Sequence, residues 1–510
     1  MKKRDDMTFP IEEYERRLNE LRQRMAKRRL DAVIISDPEN LMYLTDYQTT
    51  GYSFFQALVV PIDDEPFMIT RALEESNVIH RTWVEKTRPY PDTGDAIQAL
   101  VHSLREFGLG KKDIGYERNS YFFPAYFQDR IHTSFTDGRL LDCFGIVEEG
   151  RIRKSPAEVE IMQRAATATE AGMQAGMDAA RAGVTENEIG AAISAAMFAA
   201  GGEPPAVMPY VTSGPRTMIG HATWEGRTVQ PGEHVFLEVG GCFRRYHTAM
   251  MRTVVLGDLS PSMFRAQERM KLALEQLHAT IRPGLTVSDA DNLARQIITE
   301  NDVGASLCTR SGYSIGIAFP PSWDEGYIMS LKQGDFTILE EGMTFHLIPW
   351  MWGVDGDKTC GISDTILVTE DGCRSFFTMD PDFVVKPDEG SVKAGRKALT
   401  KPIHDSRLLT VTTGDGKAKA AKGGKTKAAK GGKAKATKAK ATKAKAAKGG
   451  KTKAAKTKAA TTKAAKGSKA AKGSKAASKK TPRAKSKKAS RADTKKSTRA
   501  RPKRSAKGGK

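Results

Sequence analysis

From Ile11 to Arg29 apolar residues recur at helical spacing, and the short apolar runs Ala32-Val-Ile-Ile35 and Ala57-Leu-Val-Val-Pro61 read as buried strands. Between these runs, Asp37-Pro-Glu-Asn-Leu-Met-Tyr-Leu-Thr45 predicts a turn that opens into a helix. Together they predict a small α/β domain over 10–148, with a boundary near Glu148–Lys154. Ser155-Pro156-Ala-Glu158 then starts a second domain. Ser155 can cap, Pro156 suits the first helical position, and Glu158 can close a capping box. The helix is expected to run to about Arg181 and stop at Gly183.

The pattern then repeats. Ala182-Gly183-Val184-Thr185 precedes a helix near Glu186, and about a hundred residues on Pro283-Gly284-Leu285-Thr286 precedes one near Asp289. Long amphipathic helices, 156–181 and 261–280, come before each, and strand-like segments follow. Two such halves predict a pseudo-symmetric α/β (α+β) domain over 150–390. From 391 the periodicity fades into a linker, 391–415, and a low-complexity tail, 416–510. In the tail the unit Lys-Ala-Ala-Lys-Gly-(Gly/Ser)-Lys recurs at 427–433, 445–451, 463–469 and 469–475.

Charge separates the same regions. Of 82 Lys+Arg and 60 Asp+Glu, 37 basic residues and one acid (Asp493) fall in 416–510, so the tail carries +36 and residues 1–415 carry −14. Dense like charge and Gly pairs oppose helix, and the tail is expected to be disordered when free. It resembles the lysine-rich tails of linker histones and bacterial histone-like proteins. Counterion release predicts non-specific, salt-dependent nucleic-acid binding through 416–510, and the lack of aromatics there argues against base stacking. The cysteines at 143, 242, 308, 360 and 373 are odd in number, widely spaced and free of CxxC. With no apolar stretch after Met-Lys-Lys-Arg and none of membrane-spanning length, they predict reduced thiols in a cytoplasmic protein without membrane association.

The chemistry concentrates between Pro209 and Asp364. The strings Ser213-Gly…His221, Glu238-Val-Gly…Arg252-Thr253, Gly312-Tyr-Ser-Ile-Gly316, Glu341-Gly-Met…Pro349 and Ile362-Ser-Asp-Thr365 lie in this stretch. With Asp37-Pro-Glu-Asn-Leu and Arg153-Lys-Ser-Pro-Ala-Glu upstream, the chain resembles the creatinase/aminopeptidase family in motif order and spacing. The resemblance implies a creatinase-like N-terminal domain, a pita-bread catalytic domain and a homodimer. Five family positions hold metal in metal-dependent members; here they are Glu238, Ala249, Tyr313, Ile348 and Ser363. A single carboxylate among Ala, Tyr, Ile and Ser cannot hold two divalent ions, so no metal and no other cofactor is expected. Within the family's metal-free branch, the strings Thr212–Arg227, Gly240–His247 and Gly312–Trp323 most resemble the ectoine-hydrolysing members. This implies hydrolytic opening of a cyclic amidine ring, ectoine or hydroxyectoine, to an N-acetylated diaminobutyrate. A creatinase-like reaction on another small amidine, and a non-catalytic module tethered to nucleic acid by its tail, are the competing readings.

His221 follows a Gly-rich turn and has the side chain best suited to proton transfer near neutral pH. Glu238 ends the apolar run Val235-Phe-Leu. It is either a general base or nucleophile, or the partner of Arg244, Arg245 or Arg252. A small zwitterionic substrate calls for an arginine and aromatic faces. Arg216 is the first choice for its carboxylate. Tyr210, Trp224, Tyr313, Phe319, Trp323, His346 and Trp352 are the candidates for the remaining walls.

Overall fold

The computed structural model describes residues 1–300 and 302–387; the linker 391–415 and the tail 416–510 lie outside the described residues. The first helix, Ile11–Arg28, carries Glu12 and Glu13 in its first turn and Lys27 and Arg28 in its last, matching the helix dipole. It buries Tyr14, Leu18, Leu21 and Met25. Strands β1 (Ala32–Ile35) and β2 (Ala57–Pro61) are buried throughout, which is why they read as unbroken apolar runs. With β3 (Phe67–Ile69), β4 (Lys86–Thr87), β5 (Asp113–Tyr116) and β6 (Arg139–Asp142) they form a mixed sheet in the order β4-β3-β2-β1-β5-β6. The helix Pro38–Thr45 starts at the predicted turn.

That turn reaches into the second domain. Glu39 Oε1 accepts the Phe319 N–H at 3.0 Å, and Asn40 Oδ1 accepts from Arg151 at 2.7 Å. Arg151 and Lys154 both donate to the buried Glu325, at 2.6 and 2.9 Å. With all three side chains walled from water, loss of any one would leave buried charge uncompensated.

The second domain is built from two similar halves. Helices Pro156–Ala179 and Glu186–Ala199 pack on a sheet of β7 (Tyr210–Ser213), β8 (His234–Phe243), β9 (Tyr246–Leu256) and, at its far edge, β17 (Val384–Lys386). Helices Pro261–Thr280 and Val287–Thr299 pack against β10 (Gly312–Ser314), β11 (Ser330–Leu331), β12 (Thr344–Leu347), β15 (Asp364–Val368) and β16 (Cys373–Ser375). A hairpin of β13 (Met351–Val354) and β14 (Lys358–Cys360) completes the second half.

The internal echo has a shared local cause. Gly183 (φ 84°) and Gly284 (φ 92°) take left-handed turns that L side chains rarely adopt. Thr185 and Thr286 then form capping boxes with Glu188 and Asp289. Ser155 and Glu158 form the predicted box, and that helix ends at Ala179, two residues early. Among the described residues, no helix is long and apolar enough to cross a membrane.

Candidate active site

Strand alternation sets one wall of the site. Side chains two apart on a strand share a face. The register pairs Tyr210 with Glu238 and Glu238 with Met251; one step along, Thr212 pairs with Phe236. Tyr210, Thr212, Phe236, Glu238 and Met251 therefore project from one face of β7–β9. They line a cavity of about 380 Å³ together with His221, Thr309, Arg310, Tyr313, Trp323, Asp324, Ile348, Trp350 and Trp352. Gly240 is two residues beyond Glu238 on β8. A Cβ there would lie 2.5 Å from the Trp323 ring, so the glycine lets that indole approach the sheet.

The aromatic walls touch one another. Tyr210 meets Trp323 edge-on at 5.6 Å between centroids and His221 at 5.7 Å; Trp350 meets Trp352 at 5.5 Å. His221 is exposed at the cavity edge and held at φ 56°, a conformation uncommon outside glycine. Glu238 is 8% exposed. Its carboxyl is reached by no hydrogen bond or ion pair among the described residues, and burial, with the nearby Asp324, pushes it up to about 8. Arg245 instead donates to the Ala318 and Pro204 carbonyls. Arg252 is buried against Asp364 (3.1 Å) and main-chain carbonyls.

Behind the cavity runs a closed polar chain. Trp323 Nε1 donates to Tyr313 Oη at 3.0 Å, and Tyr313 Oη meets His346 Nδ1 at 2.7 Å. His346 Nε2 meets Ser363 Oγ at 2.6 Å, and that oxygen accepts the Met251 N–H at 2.6 Å. Burial, with Arg252 and Arg310 nearby, holds the His346 imidazole down at about 3, so it is neutral. Tyr313 and Ser363 stand where the resemblance places metal ligands, and both are spent in this chain; Ala249 and Ile348 at two other such positions offer no donor. The donor set does not fit a metal pair. The one cluster of three potential metal ligands among the described residues, Asp37, Glu117 and Glu148, belongs to the N-terminal domain.

Of the residues singled out from sequence, Tyr210, His221, Glu238, Tyr313, Trp323 and Trp352 share this cavity. Four do not line it. Arg216 is ion-paired with the buried Glu186 and with Glu225, and donates to the Thr223 carbonyl, so it is not free for a substrate carboxylate. Trp224 lies against Gly190 of the helix Glu186–Ala199. Phe319 lines a neighbouring cavity beneath the Arg245 guanidinium, and His346 sits behind Tyr313. His247 is likewise internal: its Nε2 accepts the Ala206 N–H and its Nδ1 faces the Arg245 carbonyl. The sequence reading passed over Phe236, Arg310 and Asp324. Phe236 sits two residues before Glu238 on the same strand face, a signal that alternation could have supplied.

Comparison with known proteins places this geometry. Residues 17–153 match the creatinase/prolidase N-terminal domain and residues 160–370 match metallopeptidase family M24. An ectoine hydrolase of Halomonas elongata is 30% identical over 405 residues, covering 74% of this chain and 99% of that protein. The chain belongs to metallopeptidase family M24.

Other M24 relatives point to peptides. A Xaa-Pro dipeptidase of Lactobacillus helveticus is 27% identical over 384 residues, covering 72% of this chain and 99% of that one. Among solved structures, a Thermococcus sibiricus prolidase superposes with a TM-score of 0.66 at 20% identity, covering 73% of this chain and 99% of its own. The Mycobacterium ulcerans dipeptidase PepE superposes at 0.64 and 22%, covering 74% and 99%. These superpositions establish the pita-bread fold. As an M24 member this chain is a hydrolase by family.

Proposed function

We propose that this M24 protein hydrolyses a cyclic amidine, ectoine or hydroxyectoine, without metal. The observation that carries the reading is the Glu238 carboxyl, unpaired and facing an aromatic cavity, where Tyr313 and Ser363, at two of the positions the resemblance assigns to metal ligands, are tied together through His346. Similarity to an ectoine hydrolase supports the substrate.

In this reading the amidinium lies against the Trp323, Trp350 and Trp352 faces, which attract cations. In the empty cavity Glu238 holds its proton at neutral pH, since its carboxyl is raised to about 8. An amidinium beside it favours the carboxylate and releases that proton. The carboxylate then either takes a proton from water as that water adds to the amidine carbon, or itself attacks that carbon and is hydrolysed off. In both routes one water is consumed, one ring C–N bond breaks, and the departing nitrogen is protonated. His221, at the cavity edge, supplies that proton and recovers it from solvent.

The test is NMR of ectoine with the full chain in excess EDTA, with creatine and an Xaa-Pro dipeptide as parallel substrates. Ring opening to an N-acetylated diaminobutyrate in EDTA is the expected result. Dipeptide cleavage that needs added Mn²⁺ would overturn the reading, and creatine turnover would keep the chemistry while changing the substrate.

A further inference from the structure

With Arg216 committed to Glu186, the cavity still presents one guanidinium, that of Arg310. Arg310 lies two residues before β10, with its Cζ 4.8 Å from the centroid of the Tyr313 ring. Gly326 makes room for it: a Cβ there would lie 2.6 Å from an Arg310 nitrogen. The guanidinium donates to Asp324 Oδ2 at 2.6 Å. Both partners are about one-third exposed and both line the cavity, so the pair is accessible to a ligand.

Asp324 is held independently of Arg310. Its Oδ1 accepts the Gly326 N–H at 2.8 Å, and its own N–H donates to Ser322 Oγ at 3.1 Å. If Arg310 turned to another anion, the Asp324 carboxylate would stay in place, facing a cavity that already contains Glu238.

We infer that Arg310 is the carboxylate anchor of this cavity, and that its ion pair with Asp324 is an internal stand-in for a small zwitterion. The ligand's carboxylate takes over the guanidinium, and its cation takes over the released Asp324 carboxylate between the tryptophan faces. The exchange keeps every charge paired, since two internal charges are replaced by two ligand charges of the same signs. A purely cationic ligand that took Asp324 would leave Arg310 unmatched, and a neutral ligand would take neither partner. Selectivity for zwitterions then comes from the pair itself. This inference rests on the zwitterionic reading of the substrate but not on ring opening.

The test is a titration of the full chain by tryptophan fluorescence, with ectoine, ectoine carboxamide and creatine as ligands and wild type, Arg310→Gln and Arg310→Lys as proteins. Wild type is expected to bind ectoine roughly 10- to 100-fold more tightly than the carboxamide, the range of a charge-assisted contact. Arg310→Gln abolishes that preference, and Arg310→Lys restores part of it. An Arg310→Gln protein that keeps the preference for the carboxylate, or loses affinity for both ligands alike, overturns the anchor. Arg310-dependent binding of creatine without ectoine retains the anchor and sinks the ectoine reading. Failure of wild type to bind either zwitterion sinks both.

Discussion

Tyr313 Oη lies 2.7 Å from His346 Nδ1, and the contact makes each the buried partner of the other. Trp323 Nε1 also donates to Tyr313 Oη, so the phenol oxygen joins the indole to the imidazole. On the other side of the ring, His346 Nε2 meets Ser363 Oγ. A neutral, fully satisfied chain thus links the cavity wall to β9, where Ser363 bridges Met251. Tyr313→Phe leaves His346 Nδ1 and Trp323 Nε1 without partners in a buried place. We expect a loss of about 1–3 kcal/mol in denaturant unfolding. Unchanged stability would mean that the chain is not what holds the wall.

Glu238 ties activity and stability to pH in opposite directions. In the free protein, burial and the nearby Asp324 push its carboxyl up to about 8, from an ordinary glutamate value of 4.5. Because kcat/KM follows the free enzyme, it should rise with pH through about 8. The folded state holds this proton more tightly than the unfolded state, so the contribution of Glu238 to stability is full below 4.5 and falls as pH rises to about 8. Glu238→Gln should therefore gain in Tm relative to wild type between pH 5 and pH 8, approximately, with a flat difference above. The same variant should lose turnover by roughly 10²–10⁴-fold. A Tm difference independent of pH would place the carboxyl in an ordinary solvated setting.

His221→Ala should lower kcat by roughly 10²-fold or more while leaving the unfolding transition in place, because the side chain is exposed and its contact with the Tyr210 ring lies at the cavity edge. Wild-type turnover by this variant would remove the histidine from the mechanism.

Arg216 gives the contrasting result. Its guanidinium pairs with Glu186, which is fully buried and also accepts from the Ser213 N–H and hydroxyl. Arg216→Ala should destabilise the fold by about 3 kcal/mol, since it strands a buried carboxylate. KM for ectoine should stay within about twofold, a small fraction of one charge-assisted contact. A large rise in KM at normal stability would return the anchor role to Arg216.

The basic tail predicts a separable property. The full chain should be retained on DNA-cellulose at low salt and released steeply as salt rises, and a chain ending at residue 415 should not be retained, since residues 1–415 carry −14. Equal retention of both forms would relocate the nucleic-acid contact to the folded domains.

Much of the fold was written locally. The capping boxes at Ser155, Thr185 and Thr286, the left-handed glycines before two of them, and the unbroken apolar runs of β1 and β2 are each decided by neighbours in the chain. Those signals were enough to predict the paired helix starts of the two halves. The motif order that carries the family resemblance was also legible, because it depends on residue identity and spacing. The competition for each side chain was decided only in three dimensions. Arg216 has the right chemistry, but Glu186, thirty residues earlier, captures it. Arg310 and Asp324 stand fourteen residues apart and meet because Gly326 lets the guanidinium settle against the chain. Trp224 is drawn onto a helix while Trp350 faces the cavity. Sequence states what a residue can do, but an ion pair or a wall needs two partners, and which partner is nearest is set by strand register and helix packing.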